Sequence, residues 1–215
     1  MVGIVTQTEY VQASRSRRSS HLSGDDREQA ILATAERLLQ ERPLGDFSVD
    51  ELAKGAGISR PTFYFYFSSK NAVLLSLMDQ VSSRARGALK SLGGKLTGDP
   101  TTHWRPRIEA FFEIAGANRA IAVAGAAAKA SNSEVRQLWA SLMQQWITYT
   151  AAAIQAERDR GVAPDNVPAR DLATALTLLN ERVMASTFTQ EEGAIAEEHA
   201  IDTLVHIWEA SIYNG

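Results

Sequence analysis

At 215 residues, 45% of them hydrophobic and 22% charged, the chain has enough material for one sizeable core, or for a small module joined to a larger one. It has no cysteine, which excludes disulfides, thiolate metal sites and cysteine nucleophiles, and its four scattered histidines (His21, His103, His199, His206) make a poor zinc set. The net charge of -3 is unevenly spread: residues 1–70 hold nine basic and nine acidic side chains, residues 71–215 thirteen and sixteen. The first part is therefore neutral overall, and the acidic remainder does not veto phosphate binding, which responds to local potential. No stretch approaches the roughly 18–20 uncharged apolar residues of a membrane span. No basic region runs into an apolar one at the N-terminus, so a cytoplasmic protein without membrane partner, metal or cofactor is expected.

In chain order, residues 1–22 are polar and rich in Ser and Arg, and Arg15, Arg17 and Arg18 have no acid near them. They read as a flexible basic arm, able to reach a minor groove or to stay solvated. A helix is expected over 25–41, opened by Asp25 with Glu28 and closed before Pro43. A short pair follows at 48–55 and 59–66, the first capped by Ser48 with Glu51. A long helix at 69–92 ends at Gly93–Gly94. Further helices are expected at 104–115, 118–130, 133–160 (opened by Ser131 with Glu134), 168–188 and 194–213. The fold class is all-α with nine helices. Its divisions are the arm (1–22), a DNA-binding domain (23–70) and a larger helical domain (71–215).

The stretch Ser48–Lys70 carries the functional argument. Val49, Leu52 and Ala53 give a short amphipathic helix, and Gly55 and Gly57 release the backbone into a tight turn over Ile58. Ser59 caps a second helix, with Pro61 tolerated in its first turn. Phe63 and Phe67 point inward; five consecutive aromatics cannot all do so from one helix. The spacing is that of a helix-turn-helix, whose second helix enters the major groove. Arg60 and Thr62 are candidates for base or adjacent phosphate contacts. Ser59 belongs to the same face. Tyr64, Tyr66 and Lys70 are candidate phosphate contacts, and Lys54 a weaker one.

Residues 25–72, above all the run Ala53-Lys-Gly-Ala-Gly-Ile-Ser-Arg-Pro-Thr-Phe-Tyr-Phe-Tyr-Phe-Ser-Ser-Lys70, resemble the DNA-binding domain of TetR-family repressors. Trp139–Thr150, Ala156–Gly161 and Asp202–Trp208 extend the resemblance to one branch of that family. The resemblance implies an all-α homodimer that binds double-stranded operator DNA and is released by a lipophilic small molecule bound in its C-terminal domain.

Two helical stripes bear on that ligand. Trp104, Ile108, Phe111, Phe112 and Ala115 share one face; Trp139, Met143, Trp146, Tyr149, Thr150 and Ala153 share another. A third helix carries Asn180 among Leu172, Leu176, Leu179 and Val183. Such stripes fit a packed core, or an apolar pocket with a few polar handles. The resemblance favours the pocket. It implies a narrow lipophilic tunnel lined by Trp104, Phe111, Met143, Trp146, Tyr149, Asn180 and Trp208, with Ile108, Thr150 and Thr177 as further candidates. Ala115 and Ala185 stand where the resembled branch has phenylalanine, and Thr177 where it has asparagine, so the tunnel should be wider or differently routed. The apolar content of 168–188 and 194–213, including Leu176, Leu204, Val205 and Ile212, points to these helices as the dimer interface.

Two other classes compete. An enzyme is disfavoured: Glu157, Asp159, Glu191–Glu192 and Glu197–Glu198 read as solvated, and no phosphate loop or Ser/His/Asp grouping stands out, though a triad assembled only in space leaves no sequence mark. A lipophile-binding helical protein with a vestigial DNA-binding head is the second.

Overall fold

Ser23 opens the first helix: its Oγ accepts the Asp26 amide at 3.1 Å, and the Asp26 carboxylate accepts the Ser23 amide at 2.9 Å. This capping box, two residues upstream of the expected one, starts α1 (Gly24–Glu41) in a computed structural model that describes residues 23–92 and 104–214. The expected arm with Arg15, Arg17 and Arg18, and the Gly93–Gly94 break, lie outside the described residues. α1 buries Ile31, Leu32, Ala35, Leu38 and Leu39, an amphipathic stripe facing the head's small core. After Pro43 a 3-10 turn (Leu44–Asp46) leads to α2 (Val49–Gly55), capped reciprocally by Ser48 and Glu51 as its sequence demands. Gly57 takes φ +70, the left-handed region a tight turn needs, and α3 (Arg60–Tyr66) starts at Ser59 with Pro61 in its first turn.

α4 (Lys70–Leu92) leaves this head and touches α1 at one end and α5, α6 and α7 further along. The larger part consists of α5 (Trp104–Ala117), α6 (Arg119–Ala128), α7 (Ser133–Asp159), α8 (Ala169–Thr189) and α9 (Glu197–Tyr213). α7 and α8 lie along one another over the longest interface, and α9 packs on α5 and α8. α7 is capped by Asn132 rather than Ser131, its Oδ1 accepting the amides of Glu134 and Val135 at 2.9 and 3.0 Å. Nine helices and no strand are found among the described residues, the expected all-α class. None of these helices is long and apolar enough to cross a membrane.

The four residues read as surplus apolar surface for a dimer are not surplus. Leu176, Leu204, Val205 and Ile212 are all buried within the chain and complete its own core. The outward face of α8 presents Leu178 instead, about half exposed.

Candidate nucleic-acid interface and apolar chambers

The outer face of the head is built on α2 and α3. Arg60, in the first turn of α3, places Nη1 3.0 Å from Asp50 Oδ2 and Nη2 3.4 Å from the Tyr64 hydroxyl, with its guanidinium 5.8 Å from the Tyr64 ring centre. The bond to Tyr64 and the Asp50 charge raise its pKa, so it stays a cation. The Ser59 and Thr62 hydroxyls lie 2.8 Å apart, and Ser59 Oγ accepts the Thr62 amide, so both are occupied in capping while their outer edges face solvent. Lys54 and Tyr64 are exposed, and Tyr66 is half-buried beneath the start of α1 at Gly24. Phe63 and Phe67 are buried as expected.

Phe65 was missed: it is 84% exposed, the most exposed large apolar side chain of the head. The signal was present, because a residue two positions from the inward Phe63 lies about 200° round the helix.

Lys70 occupies a different position from the one expected of a phosphate contact. Its Nζ donates to the carbonyls of Leu44 and Phe47 at 2.8 and 2.5 Å and lies 5.5 Å from the Phe47 ring centre. It therefore clamps the α1–α2 loop to the start of α4, and a phosphate would have to displace these bonds. Beside it Arg42 donates to Glu51, whose carboxylate also accepts the Ser48 amide. These bonds, the Ser48 amide first, hold Glu51 down at about 2.

Among the described residues of the larger domain are three small chambers. The first, about 60 Å³, lies between α4 (Met78, Val81, Ser82, Ala85), α5 and α7 (Leu138, Leu142, Met143). The second, about 10 Å³, is polar-edged, with Tyr149, Thr150, Thr177, Asn180 and Arg107 around it and Trp208 at its back. A third, about 20 Å³, is bounded by Ala185, Phe188 and Met184. Phe111 and Trp146 line both the first and the second, and their rings meet edge to face at 5.0 Å, forming the partition. Inside the second, Asn180 Oδ1 accepts the Trp208 indole N–H at 3.0 Å, which pairs a buried amide oxygen with a buried indole donor.

Eight of the ten residues expected to line a tunnel line these chambers: Phe111, Met143, Trp146, Tyr149, Thr150, Thr177, Asn180 and Trp208. Trp104 and Ile108 line none of the three; both are fully buried. Trp104 packs on Trp208 with ring centres 5.4 Å apart and donates its indole N–H to the Tyr213 hydroxyl at 2.9 Å. Ala115 and Ala185, read as lost rings, stand on the walls of the first and third chambers. Arg107 and the α4 residues were not foreseen. Arg107 falls three after Trp104 and four before Phe111, on the stripe already drawn.

Glu157 overturns its solvated reading. It is fully buried, pairs with Arg160 at 2.8 Å, and accepts the Tyr213 hydroxyl at 3.2 Å. Burial is the main cause that pushes Tyr213 up to about 12. A much wider concavity lies elsewhere: an open cleft of about 790 Å³ between the head and α6, with Pro43, Leu44, Lys70, Arg119 and Val123 on its walls. It is a wide groove between two parts of the chain, whereas the small chambers lie among buried and half-buried side chains of the larger domain.

The comparisons follow the same division. Residues 31–77 match the model of the bacterial regulatory proteins of the tetR family, and residues 104–214 that of the EthR C-terminal domain. The chain is 56% identical over 200 residues to the HTH-type transcriptional regulator EthR of Mycobacterium tuberculosis, covering 93% of each chain. It is 51% identical over 209 residues to EthR of Mycolicibacterium smegmatis, covering 97% of this chain and 96% of that one. A regulator from Saccharomonospora viridis, solved in complex with choline, superimposes with a TM-score of 0.72 at 23% identity, over 86% of this chain and 96% of that one. The chain belongs to the TetR family of bacterial transcriptional regulators, in the branch of the EthR proteins. It is a regulator of transcription and not an enzyme.

Proposed function

We propose that the chain is a homodimeric repressor whose α3 reads operator DNA and whose enclosed chambers take a lipophilic effector that releases it. The observation that carries this reading is the placement of α4. Its first residue, Lys70, is bonded to the head's α1–α2 loop, and its middle residues Met78, Val81, Ser82 and Ala85 wall the first chamber. A ligand that enlarges that chamber toward Met78, Val81, Ser82 and Ala85 moves α4, and movement of α4 carries the head with it. Effector and operator then bias one two-state element, which is what coupling between distant sites requires. The solved relative that holds choline supports a small-molecule site in this fold.

On the DNA side, Arg60 exchanges Asp50 for a guanine edge or a phosphate, and Thr62 sits where a thymine methyl would lie. Tyr64, Tyr66, Ser59 and Lys54 contact backbone, and exposed Phe65 meets sugar or methyl surface. Lys70 acts as the hinge clamp rather than as a phosphate ligand. The two heads are paired through the outward faces of α8 and α9.

The test is operator binding by a fragment selected from genomic DNA, followed by anisotropy. Arg60→Ala with Tyr64→Ala should weaken binding at least 100-fold while ligand-induced thermal stabilisation persists. Unchanged DNA affinity in that variant would sink the reading of α3 and favour a lipophile-binding protein with a vestigial head.

A further inference from the structure

We infer that Asp50 is a second reading residue of the DNA-binding face. It accepts from the amino group of a cytosine beside the guanine that Arg60 reads, and it makes the head reject DNA that lacks such a pair. This rests on the reading of α3 above and adds to it a residue of α2 and a base preference.

The two side chains meet end to end. Asp50 stands in the first turn of α2 and Arg60 in the first turn of α3, and Asp50 Oδ2 lies 3.0 Å from Arg60 Nη1. Both side chains are more than half exposed. At the other end of the guanidinium, Nη2 lies 3.4 Å from the Tyr64 hydroxyl, so Arg60 is held from two sides. The neighbouring acid, Glu51, is taken up by the Ser48 cap and by Arg42. Asp50 takes no part in that cap. An exposed ion pair of this kind adds little to folding. Its larger consequence is at the surface, where a carboxylate stands in the way of an approaching array of phosphates.

Only a donor on the DNA can offset that charge. Arg60 has donors alone and an ionised Asp50 acceptors alone. In the major groove a guanine–cytosine pair presents N7 and O6 as acceptors and then the cytosine amino group as a donor. When Arg60 moves from Asp50 to N7 and O6, the carboxylate beside it is left against that amino group, and each charge exchanges one partner for another. Elsewhere Arg60 either stays with Asp50 and reads nothing, or leaves it facing acceptor atoms without a partner. Selectivity then comes from a penalty on the wrong sequence as well as from a gain on the right one.

The test uses the full chain, an operator fragment selected from genomic DNA and a random-sequence duplex of equal length, with affinities read by anisotropy. Each base pair of the fragment is replaced in turn. The wild type should lose roughly ten-fold or more at a guanine–cytosine pair in each half-site. Asp50→Ala should cut that loss to below about three-fold and bind the random duplex at least about three-fold more tightly. Asp50→Ser, which suits the first turn of a helix, serves if the alanine variant does not fold. A wild type with no such position, or an Asp50 variant that keeps the wild-type selectivity or weakens on both duplexes alike, overturns the assignment. If Arg60→Ala with Tyr64→Ala weakens binding while the Asp50 variant keeps its selectivity, the reading of α3 stands and only the role of Asp50 falls. If that double variant binds the operator as the wild type does, both fall.

Discussion

Two glutamates show how local partners decide what a carboxylate does. Glu51 is on the surface, yet it accepts from the Ser48 amide and from Arg42 and is held at about 2. Its folded pKa lies below the ordinary value of 4.5, so what it adds to stability is present above pH 4.5 and fades as pH falls toward 2. A carboxyl NMR titration should give a midpoint near 2, and Arg42→Ala should raise it while leaving it below the ordinary value, because the backbone amide remains. A wild-type midpoint at the ordinary value would refute this account of the cap. Glu157 shows the opposite case, a carboxylate buried against Arg160 and Tyr213. In the sequence it sits in Ala-Glu-Arg-Asp-Arg-Gly, which looks like a charged surface. Yet it extends the α7 stripe by another four residues beyond Met143, Trp146, Thr150 and Ala153, all of them buried. Periodicity marked it as buried and composition marked it as solvated, and periodicity was the stronger signal. Arg107, three after Trp104 and four before Phe111, carries the same periodic mark on the α5 stripe.

At the scale of elements, the helices were legible because their starts and stops are chemical. Ser48, Ser59 and Gly57 do their expected work. The caps at Ser23 and Asn132 were displaced from the expected residues because several oxygen-bearing side chains compete at each start, and only the backbone approach selects among them. Helix contacts are harder to read than helix extents. The crossing of α1 and α2 depends on Gly55: a Cβ there would lie 2.4 Å from Thr34 Cγ2. Thr34 is buried and its hydroxyl donates to the Ala30 carbonyl at 2.8 Å, so it has little room to turn aside. Gly55→Ala should therefore destabilise the chain by about 1–3 kcal/mol through overpacking, despite alanine's better helix propensity. Urea denaturation measures the loss, and adding Thr34→Ser, which removes the blocking methyl, should recover most of it. A single variant as stable as the wild type would show that the crossing is looser than drawn. The residues read for the dimer, Leu176, Leu204, Val205 and Ile212, were misjudged at this same scale, since a sequence counts apolar residues but does not say which of them the protomer itself consumes.

For the whole molecule, the head and the first chamber share one helix, α4. The helix-turn-helix is legible in its caps, turn and buried aromatics because it is local: they lie within 23 positions, from Ser48 to Lys70. The chambers draw on α4, α5, α6, α7, α8 and α9, and pattern alone could not tell a packed interior from a hollow one. Their size has a consequence for time as well as for affinity. Volumes of about 60, 20 and 10 Å³ hold little more than a water or two, far less than a ten-carbon chain. A ligand that spans the first and second chambers must therefore part Phe111 and Trp146, which stand between them. The rate of effector capture is then set by the protein's own opening: in stopped flow, with Trp139 and Trp146 as reporters, the observed rate should level off as ligand concentration rises, at a ceiling common to ligands of different length. A rate that climbs linearly without limit would mean the passage is already open. With a gate-limited ceiling, a regulator of this build responds to a lasting supply of its effector and ignores a brief pulse.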